Sequence, residues 1–485
     1  MHSWDFQSPG LIAFGEGKAA CVGPLVKNRI SGKILLVTGP VLLRTGAVEP
    51  VLQSLREADV SFALHAETSG EPTSRHVEDA LALFRRENCT ALVACGGGGP
   101  MDLAKAVSLL HANGGSPADY ARKGASPKAG PPVFALPTTA GSGSEVSGNT
   151  VIIDAATQEK LLIGSPALVP VAAILDPLLT RSMPPSLTAA TGMDALTHAI
   201  ESYVSRKATD MTMPLSLRAA ARMVRFLPRA WKRPDDAEAR RECLLASLEA
   251  GLAFANSSVA LVHGMARPLG AKFGVPHGLS NAMLLETVTA FSLSGNPQRY
   301  ARLAQAMGAA TTGLDDAAAA GLLPPLLRDL AATLGMPAAC ANASVRTNWP
   351  RSAGSWCRRP LPAAARPTIR ARPRPGTSPG CIRKPCKGHG RNANRSRPPA
   401  GFSPASRLAE RRKFCHDARI DAAASLGANL PNENPRLCPA SDIFLRRQAC
   451  LTQSMCSLQR RRCRNGTVFR RPGGKLGHRG SELQL

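Results

Sequence analysis

Residues 90–112 constrain the fold most strongly, with the sequence TALVACGGGGPMDLAKAVSLLHA. An apolar run, four glycines and a helical stretch predict a strand, a tight loop and a helix, the unit of a parallel sheet. Glycines at such a turn let backbone N–H groups approach a pyrophosphate, and the helix N-terminus favours an anion. We expect the helix to start near Pro100, because proline at a first helical position costs no hydrogen bond. A plain tight turn is the competing interpretation of the glycines alone.

Apolar runs and helical stretches alternate through the first third of the chain. We predict strands at 33–38, 61–67 and 132–137 and helices at 48–58 and 73–88. Alternation of this kind favours an α/β layer built on a parallel sheet. From Pro185 to about Gly335 the sequence has helical periodicity and no convincing strand. We therefore predict an α/β domain over 1–183 and an all-α domain over 184–337.

A second loop rich in small polar residues follows the strand predicted at 132–137. Its sequence, TTAGSGS, supplies the hydroxyls of Thr138, Thr139 and Ser142. Nucleotides bind at the carboxyl ends of the strands of a parallel sheet. Two such loops in one domain favour a dinucleotide site over a flexible polar loop. Lys160 could add a positive charge there, although a single lysine is usually an ordinary surface residue.

Four side chains form a candidate metal site: Asp194, His198, His263 and His277. Asp194 and His198 are four residues apart, which puts both on one face of a helix. The two later histidines open and close the stretch HGMARPLGAKFGVPH. One carboxylate and three imidazoles suit Fe(II), with Zn(II) as the alternative. The competing interpretation is a buried histidine, a solvated one and a surface carboxylate.

Charge divides the chain into two unlike parts. Residues 1–337 carry 30 Lys and Arg against 28 Asp and Glu, whereas residues 338–485 carry 30 against 6. The N-terminus lacks the basic region and the apolar region of a signal peptide, and no apolar run reaches the 18 residues of a membrane span. The four cysteines before residue 338 are scattered, as buried thiols of a reducing compartment would be. We therefore expect a cytoplasmic protein without a membrane partner.

Taken together, the motifs resemble those of the iron-containing (group III) alcohol dehydrogenases. Two segments match the cofactor loops of that family, GGGGPMDLAKA and LPTTAGSGSEVS. Two others match its metal-binding signatures, MDALTHAIESYVS and HGMARPLGAKFGVPHG. The resemblance extends from about residue 14 to residue 337.

The resemblance implies a dehydroquinate-synthase-like architecture, with a Rossmann-like domain, a helical domain and the active site between them. It implies that Asp194, His198, His263 and His277 bind the metal. It implies hydride transfer between a primary alcohol or aldehyde and NAD or NADP. A homodimer is possible. The implied cofactor contacts are Gly97, Gly98, Gly99, Asp102, Thr138, Thr139, Ser142 and Lys160.

Two positions depart from the pattern of that family. Arg267 stands where the family commonly has a histidine that faces the cleft and helps to move the proton. A guanidinium cannot serve as an acid or base at neutral pH, so Arg267 is a doubtful catalytic residue; a substrate carboxylate is its alternative partner. Gly39 stands where many members have an aspartate that contacts the ribose 2′-hydroxyl and repels a 2′-phosphate. We therefore expect NADP to be tolerated.

The tail at 338–485 does not follow the family pattern. It is rich in Pro, Arg and Cys, which predicts disorder, and its shifted reading frames can encode family-like sequence. We infer a frameshift after about residue 338. Two alternatives to an active dehydrogenase follow: an inactive product whose basic tail binds polyanions non-specifically, and an enzyme like maleylacetate reductase. An evolved nucleic-acid partner is not expected, because Phe and Tyr are nearly absent from the tail and its arginines form no repeated motif.

Overall fold

The structure is a computed structural model that describes residues 3–121, 127–273 and 275–337. The tail, with the frameshift and the disorder inferred for it, lies outside the described residues. The strands of the described residues are β1 (Leu11–Phe14), β2 (Ile34–Val37), β3 (Phe62–His65), β4 (Ala91–Gly96), β5 (Val133–Pro137), β6 (Asn149–Ile153), β7 (Lys160–Gly164) and β8 (Ala172–Leu175).

Six of these strands form one parallel sheet in the order β1-β8-β5-β4-β2-β3, and β6 and β7 form a separate antiparallel pair. The helices of the first region are α1 (Val22–Lys27), α2 (Pro40–Arg44), α3 (Glu49–Glu57), α4 (Ser74–Arg86), α5 (Gly98–Asn113) and α6 (Pro117–Tyr120). The predicted α/β layer with a parallel sheet is confirmed.

Side chains of β2 alternate between two cores, which explains why its sequence is apolar throughout. Leu35 and Val37 pack with residues of α4 and α5. Ile34 and Leu36 pack with residues of α1 and α3 on the opposite face. Successive side chains of a strand point to opposite faces, so a sheet covered by helices on both sides needs apolar residues at every position.

The strand order reverses between β2 and β4. The chain runs from β2 outward to β3 and then returns to place β4 on the other side of β2. Loops that leave the carboxyl ends of two such strands diverge and open a crevice, the usual ligand position of an open α/β sheet. Gly39 follows β2 and Gly97 follows β4, so both predicted cofactor positions lie at this crevice.

The start of α5 differs from the prediction. Gly97 is the N-cap and the helix begins at Gly98, two residues before Pro100. Proline is still tolerated there, because the first four N–H groups of a helix have no partner within the helix. The strands β1, β6, β7 and β8 were not predicted.

The second region is helical throughout its described residues, as predicted. Its helices are α7 (Pro185–Val204), α8 (Thr212–Lys232), α9 (Ala237–Ala255), α10 (Leu261–Phe273), α11 (His277–Ser292), α12 (Pro297–Ala306), α13 (Asp316–Gly321) and α14 (Leu323–Thr333). They pack around one apolar core that also contains Ala140 and Val146 from the segment after β5. The second predicted cofactor loop therefore rests directly on the helical region.

Candidate active site

Three helices carry the four predicted metal ligands. Asp194 and His198 lie one turn apart on α7, His263 lies in the first turn of α10, and His277 is the first residue of α11. The first three are buried, whereas the His277 side chain is 31% exposed. A group bound here would thus be held by the protein interior and remain accessible from the side of His277.

Distances within this cluster fit a metal ion. One ligand atom each from Asp194, His263 and His277 lies within 4.8 Å of the others. Asp194 Oδ1 is 3.7 Å from Nε2 of His263 and 3.7 Å from Nε2 of His277. Metal–ligand bonds of about 2.1 Å in a tetrahedral shell put neighbouring ligand atoms roughly 3.4 Å apart. Only a small adjustment would close this cluster around a divalent ion.

Asn281 provides a second test of the fit. Its Nδ2 lies 2.7 Å from Asp194 Oδ1, 3.1 Å from His263 Nε2 and 3.3 Å from His277 Nε2. An amide nitrogen has two hydrogens, so it cannot satisfy three acceptors at once. Its own Oδ1 is buried without a hydrogen-bond partner. Three acceptors that share one amide nitrogen, together with an unpaired amide oxygen, are a donor set that fits a cation.

His198 lies beside this cluster rather than within it. Its ring stacks on His263 and on Phe254, with centroids 4.6 and 4.3 Å apart. Its Nδ1 is 3.2 Å from the Gly141 carbonyl oxygen, to which it donates when that nitrogen carries the proton. Nε2 then keeps its lone pair, which is the tautomer a metal-binding histidine requires. Its role as the fourth ligand stays a prediction.

The charge states of these groups favour a cation. Burial lowers the pKa of His198 to about 4 and that of His277 to about 3, so both imidazoles are neutral at pH 7. Burial opposes ionisation of Asp194, but His198 and His277 hold its pKa well below its usual range. For His263, burial is outweighed by hydrogen bonds with Asp194 and Glu201, which raise its pKa. Metal and proton therefore compete mainly at His263.

The two predicted cofactor loops meet in the structure. A Cβ atom added to Gly97 would lie 3.2 Å from Thr139 Cγ2, and one added to Gly98 would lie 3.3 Å from Ser142 Cβ. Thr138 donates its N–H to the Gly96 carbonyl at 2.9 Å, which joins the ends of β4 and β5. The backbone at the start of α5 and the hydroxyls of the second loop thus lie at one edge of the sheet.

Asp102 and Lys160 make protein contacts of their own. Asp102 Oδ1 accepts from Ser144 at 2.6 Å, and its Oδ2 accepts from the Val151 N–H at 3.0 Å. Lys160 on β7 pairs with Glu71 at 2.6 Å. Lys160 is also close enough for its charge to contribute to the lowered pKa of His277. Cofactor contact by either residue stays a prediction.

Arg267 lies four residues after His263 on α10, and so one helical turn further along. Its side chain is partly buried. Residues four apart share a helix face, which is consistent with a position near the metal cluster.

Comparison with known proteins identifies the family. A sequence profile described as iron-containing alcohol dehydrogenase matches residues 9–177, and one for the C-terminal part of that family matches residues 188–353. An NAD-dependent methanol dehydrogenase from Bacillus methanolicus is 36% identical over 342 residues, which cover 70% of this chain and 90% of that protein. The chain belongs to the iron-containing alcohol dehydrogenase family. It is thus a metal-dependent oxidoreductase of the alcohol dehydrogenase type.

Other members of the iron-containing alcohol dehydrogenase family agree in sequence and fold. A 1,3-propanediol dehydrogenase from Klebsiella pneumoniae is 37% identical over 336 residues, covering 69% of this chain and 87% of that protein. A crystal structure of a 1,3-propanediol oxidoreductase superposes with a TM-score of 0.68 at 37% identity, covering 69% of this chain and 88% of that chain. An alcohol dehydrogenase from Oenococcus oeni superposes with a TM-score of 0.67 at 31% identity, covering 69% and 88% respectively.

Two further residues of this iron-containing alcohol dehydrogenase site were not predicted. Asn281 lies four residues after His277, and Glu201 lies seven residues after Asp194. On a helix both spacings return to the same face, so both residues could have been found from the sequence.

Among the described helices, none is long and apolar enough to cross a lipid bilayer.

Proposed function

We propose that Asp194, His198, His263 and His277 bind one Fe(II), with Zn(II) as the alternative, and that this centre activates a small primary alcohol for oxidation by NAD or NADP. One observation carries the proposal: ligand atoms of Asp194, His263 and His277 converge, and the amide of Asn281 has too few hydrogens to donate to all three. A divalent metal at this centre supplies Lewis acidity to the alcohol oxygen.

The side chains prepare that chemistry in three ways. Asp194 holds a negative charge inside the helical region, where a cation is stabilised more strongly than at a surface. His198 and His277 offer neutral nitrogens, because burial lowers the pKa of each imidazole. Burial of His198 and His263 keeps bulk water from the inner side of the centre, while the partly exposed His277 marks the side open to substrate.

Cofactor binding is assigned to the crevice at the reversal of the strand order. Gly97, Gly98 and Gly99 allow the pyrophosphate to approach the N-terminus of α5, and Thr138, Thr139 and Ser142 supply hydroxyl donors. Lys160, which pairs with Glu71 and contributes to the lowered pKa of His277, adds a positive charge near the cofactor, and Asp102 fixes the second loop through Ser144. Relatives that are named as methanol and 1,3-propanediol dehydrogenases support a short alcohol or the corresponding aldehyde as substrate.

Arg267 sets this chain apart from family members with a histidine at that position. A guanidinium holds its charge at all physiological pH values and does not release a proton. We propose that it binds or orients a polar group of the substrate, and that the proton leaves by another route. A substrate that bears a carboxylate would gain most from the planar, bidentate donor set of arginine.

Three broader assignments complete the proposal. The chain divides near residue 183 into a Rossmann-like NAD(P)-binding domain and a helical metal-binding domain. It works in the cytoplasm, in line with its scattered cysteines. A homodimer is the assembly to test first, because C2 dimers are the commonest oligomers of soluble proteins.

The assay is reduction of NAD or NADP by short primary alcohols after loading with Fe(II) or Zn(II). We expect His263→Ala to lower kcat/KM by more than about 100-fold, beyond the roughly 10–100-fold cost of losing an outer-shell partner. His111→Ala, at an exposed histidine of α5, is the matched control and should keep full activity. Equal activity of both variants would refute the metal site. A protein that takes up no metal and only binds nucleic acid would support the inactive alternative.

A further inference from the structure

We propose that Glu201 is a positioning residue, which holds His263 in the tautomer and orientation that direct Nε2 at the metal. This inference rests on the proposed metal site and assigns a residue that the four-ligand set does not include. Its basis is the set of contacts made by the buried carboxylate of Glu201. This carboxylate contacts both the ring of His263 and the backbone at the start of α10, the helix that carries His263.

Glu201 continues the functional face of α7. Asp194, His198 and Glu201 occupy positions i, i+4 and i+7 of that helix, which fall on one face. They are 6, 5 and 3% exposed respectively, so all three polar side chains point into the protein. A glutamate is almost never buried to this degree without partners that compensate its charge.

The carboxylate of Glu201 accepts hydrogen bonds from the beginning of α10. Its Oε2 accepts from the Ala260 N–H at 2.9 Å and from the His263 N–H at 3.3 Å, and its Oε1 accepts from the Val262 N–H. These N–H groups have no acceptors within their own helix, and the positive end of the helix dipole favours a negative charge there. Glu201 on α7 therefore fixes where α10 starts.

The same carboxylate also contacts the ring of His263. Glu201 Oε2 lies 2.7 Å from His263 Nδ1. An ionised carboxylate can only accept, so Nδ1 must carry the proton and donate. In the neutral imidazole this leaves the lone pair on Nε2, which lies 3.7 Å from Asp194 Oδ1. A carboxylate that accepts from the far nitrogen of a metal-binding histidine fixes its tautomer and strengthens its binding.

A purely structural role would make a different prediction. If Glu201 only caps α10, its loss would lower stability and leave the metal affinity of the folded protein unchanged. Glu201→Gln separates the two roles, because glutamine keeps the size and one carbonyl oxygen for the backbone N–H groups. It also removes the charge and lets an amide N–H face Nδ1, which favours the wrong tautomer of His263.

The first measurement is the dissociation constant for Zn(II), by competition with a chromophoric chelator on the full chain. We expect Glu201→Gln to bind Zn(II) about 10–100-fold more weakly than wild type. Glu249→Gln is the matched control, since Glu249 is a buried carboxylate of α9 that pairs with Arg218 and Arg222. It should lose stability but keep the wild-type affinity. A folded Glu201→Gln protein with unchanged affinity would overturn the proposal.

The second measurement needs no Glu201 variant to fold. Long-range 1H–15N NMR of the metal-free wild type at alkaline pH, where imidazoles are neutral, reports each histidine tautomer. The signal of His263 is identified by its loss in His263→Gln. We expect the Nδ1–H form, and an Nε2–H form would contradict the proposal.

One further comparison separates this inference from the metal site itself. If His263→Ala binds Zn(II) as tightly as wild type, the proposed metal site fails and the role of Glu201 fails with it. If His263→Ala loses Zn(II) affinity and Glu201→Gln does not, only the inference about Glu201 is wrong.

Discussion

At the scale of single residues, Gly39 is the position where the chain departs from its family with the clearest consequence for the cofactor. It directly follows Thr38 at the end of β2 and is the N-cap of α2. A Cβ atom added there would lie 3.1 Å from the Thr68 carbonyl oxygen. A side chain at this position would therefore enter the space between the end of β2 and the segment after β3.

We expect Gly39→Asp to shift cofactor preference from NADP towards NAD. A carboxylate there can accept from the ribose 2′-hydroxyl of NAD and repels the 2′-phosphate of NADP. The ratio of kcat/KM for NAD to that for NADP should rise at least about tenfold, or ~1.4 kcal/mol. Thr45→Asp, which adds the same charge at an exposed site, is the control and should leave the ratio unchanged. An unchanged ratio in Gly39→Asp would argue against this role.

At the scale of elements, the N-terminus of α5 depends on close backbone contact with its neighbours. A Cβ atom added to Gly99 would lie only 2.0 Å from the Gly70 carbonyl oxygen. Real Cβ atoms do not approach backbone oxygens so closely, so one of the two segments would have to move. The glycines after β4 therefore allow close packing between loops, in addition to the phosphate contact that we propose for them.

Gly99→Ala should weaken binding of the dinucleotide and destabilise the protein by about 1–3 kcal/mol, the usual cost of overpacking. Gly321→Ala is the matched control, because nothing lies within 4 Å of the added Cβ at the end of α13. Calorimetric titration with NAD and thermal melts compare the two variants. Equal behaviour of both would mean that the contact of Gly99 with Gly70 is unimportant.

A buried charge cluster ties α5 to the loop after β5. Lys105 is fully buried and donates to Ser144 Oγ at 2.8 Å and to the carbonyl oxygens of Ser147 and Asn149 at 2.9 Å each. Burial lowers its pKa to about 8. Burial also raises the pKa of the neighbouring Glu145 to about 7. The cluster thus couples the stability of the cofactor loops to pH.

Glu145 should make the folded protein less stable as pH rises. Its pKa is about 7 in the folded state against 4.5 for the free side chain, so the folded state binds more protons between these values. The stabilisation is complete below pH 4.5 and is lost as pH rises through about 7. Glu145→Gln removes this effect, so its stability relative to wild type should increase by about 1–3 kcal/mol from pH 5 to pH 8.

Urea unfolding of wild type and Glu145→Gln at both pH values measures that change. Glu159→Gln, at an exposed carboxylate, is the control, and its difference from wild type should not vary with pH. A constant difference for Glu145→Gln as well would contradict the assignment of the effect to burial.

The sequence predicted some elements better than others for physical reasons. A long periodic segment such as α4 has a distinct apolar face, and this helix lies where the sequence predicts it. Strands of four residues carry little periodic signal, so β2 and β3 were predicted from their apolar runs and their alternation with helices, whereas β1 and β8 were not predicted. The helix that we expect to start near Pro100 begins two residues earlier, because Gly98 and Gly99 already adopt helical backbone.

The same contrast holds for the site. Asp194 and His198 were predicted to share a helix face, and both lie on α7. The approach of His263 and His277 depends on how α10 and α11 pack against α7, which no local pattern encodes. The contact of Glu201 with His263 links positions 62 residues apart, so only the folded structure identifies it.

At the scale of the whole molecule, Gly141 joins the predicted cofactor side of the site to the predicted metal side. A Cβ atom added to Gly141, in the loop after β5, would lie 2.5 Å from the Thr191 carbonyl oxygen of α7. The carbonyl of the same glycine lies 3.2 Å from His198 Nδ1. This loop and α7 are thus in direct contact, so the second predicted cofactor loop lies beside the helix that carries Asp194 and His198.

The two parts of the chain differ in net charge. Residues 1–337 are nearly neutral, with 30 basic and 28 acidic residues, whereas 338–485 have 30 and 6. All elements that build the site lie in the nearly neutral part. We therefore assign the chemistry to residues 1–337, and none of the proposed site residues lies in the basic tail.

The central claim is that one metal ion is bound by Asp194, His198, His263 and His277. The most direct test is an anomalous difference map at the iron absorption edge, from crystals of the Fe(II)-loaded full chain. We expect one peak within bonding distance, about 2.0–2.2 Å, of one atom from each of the four side chains. A peak elsewhere, or no peak from protein saturated with iron, would contradict the account.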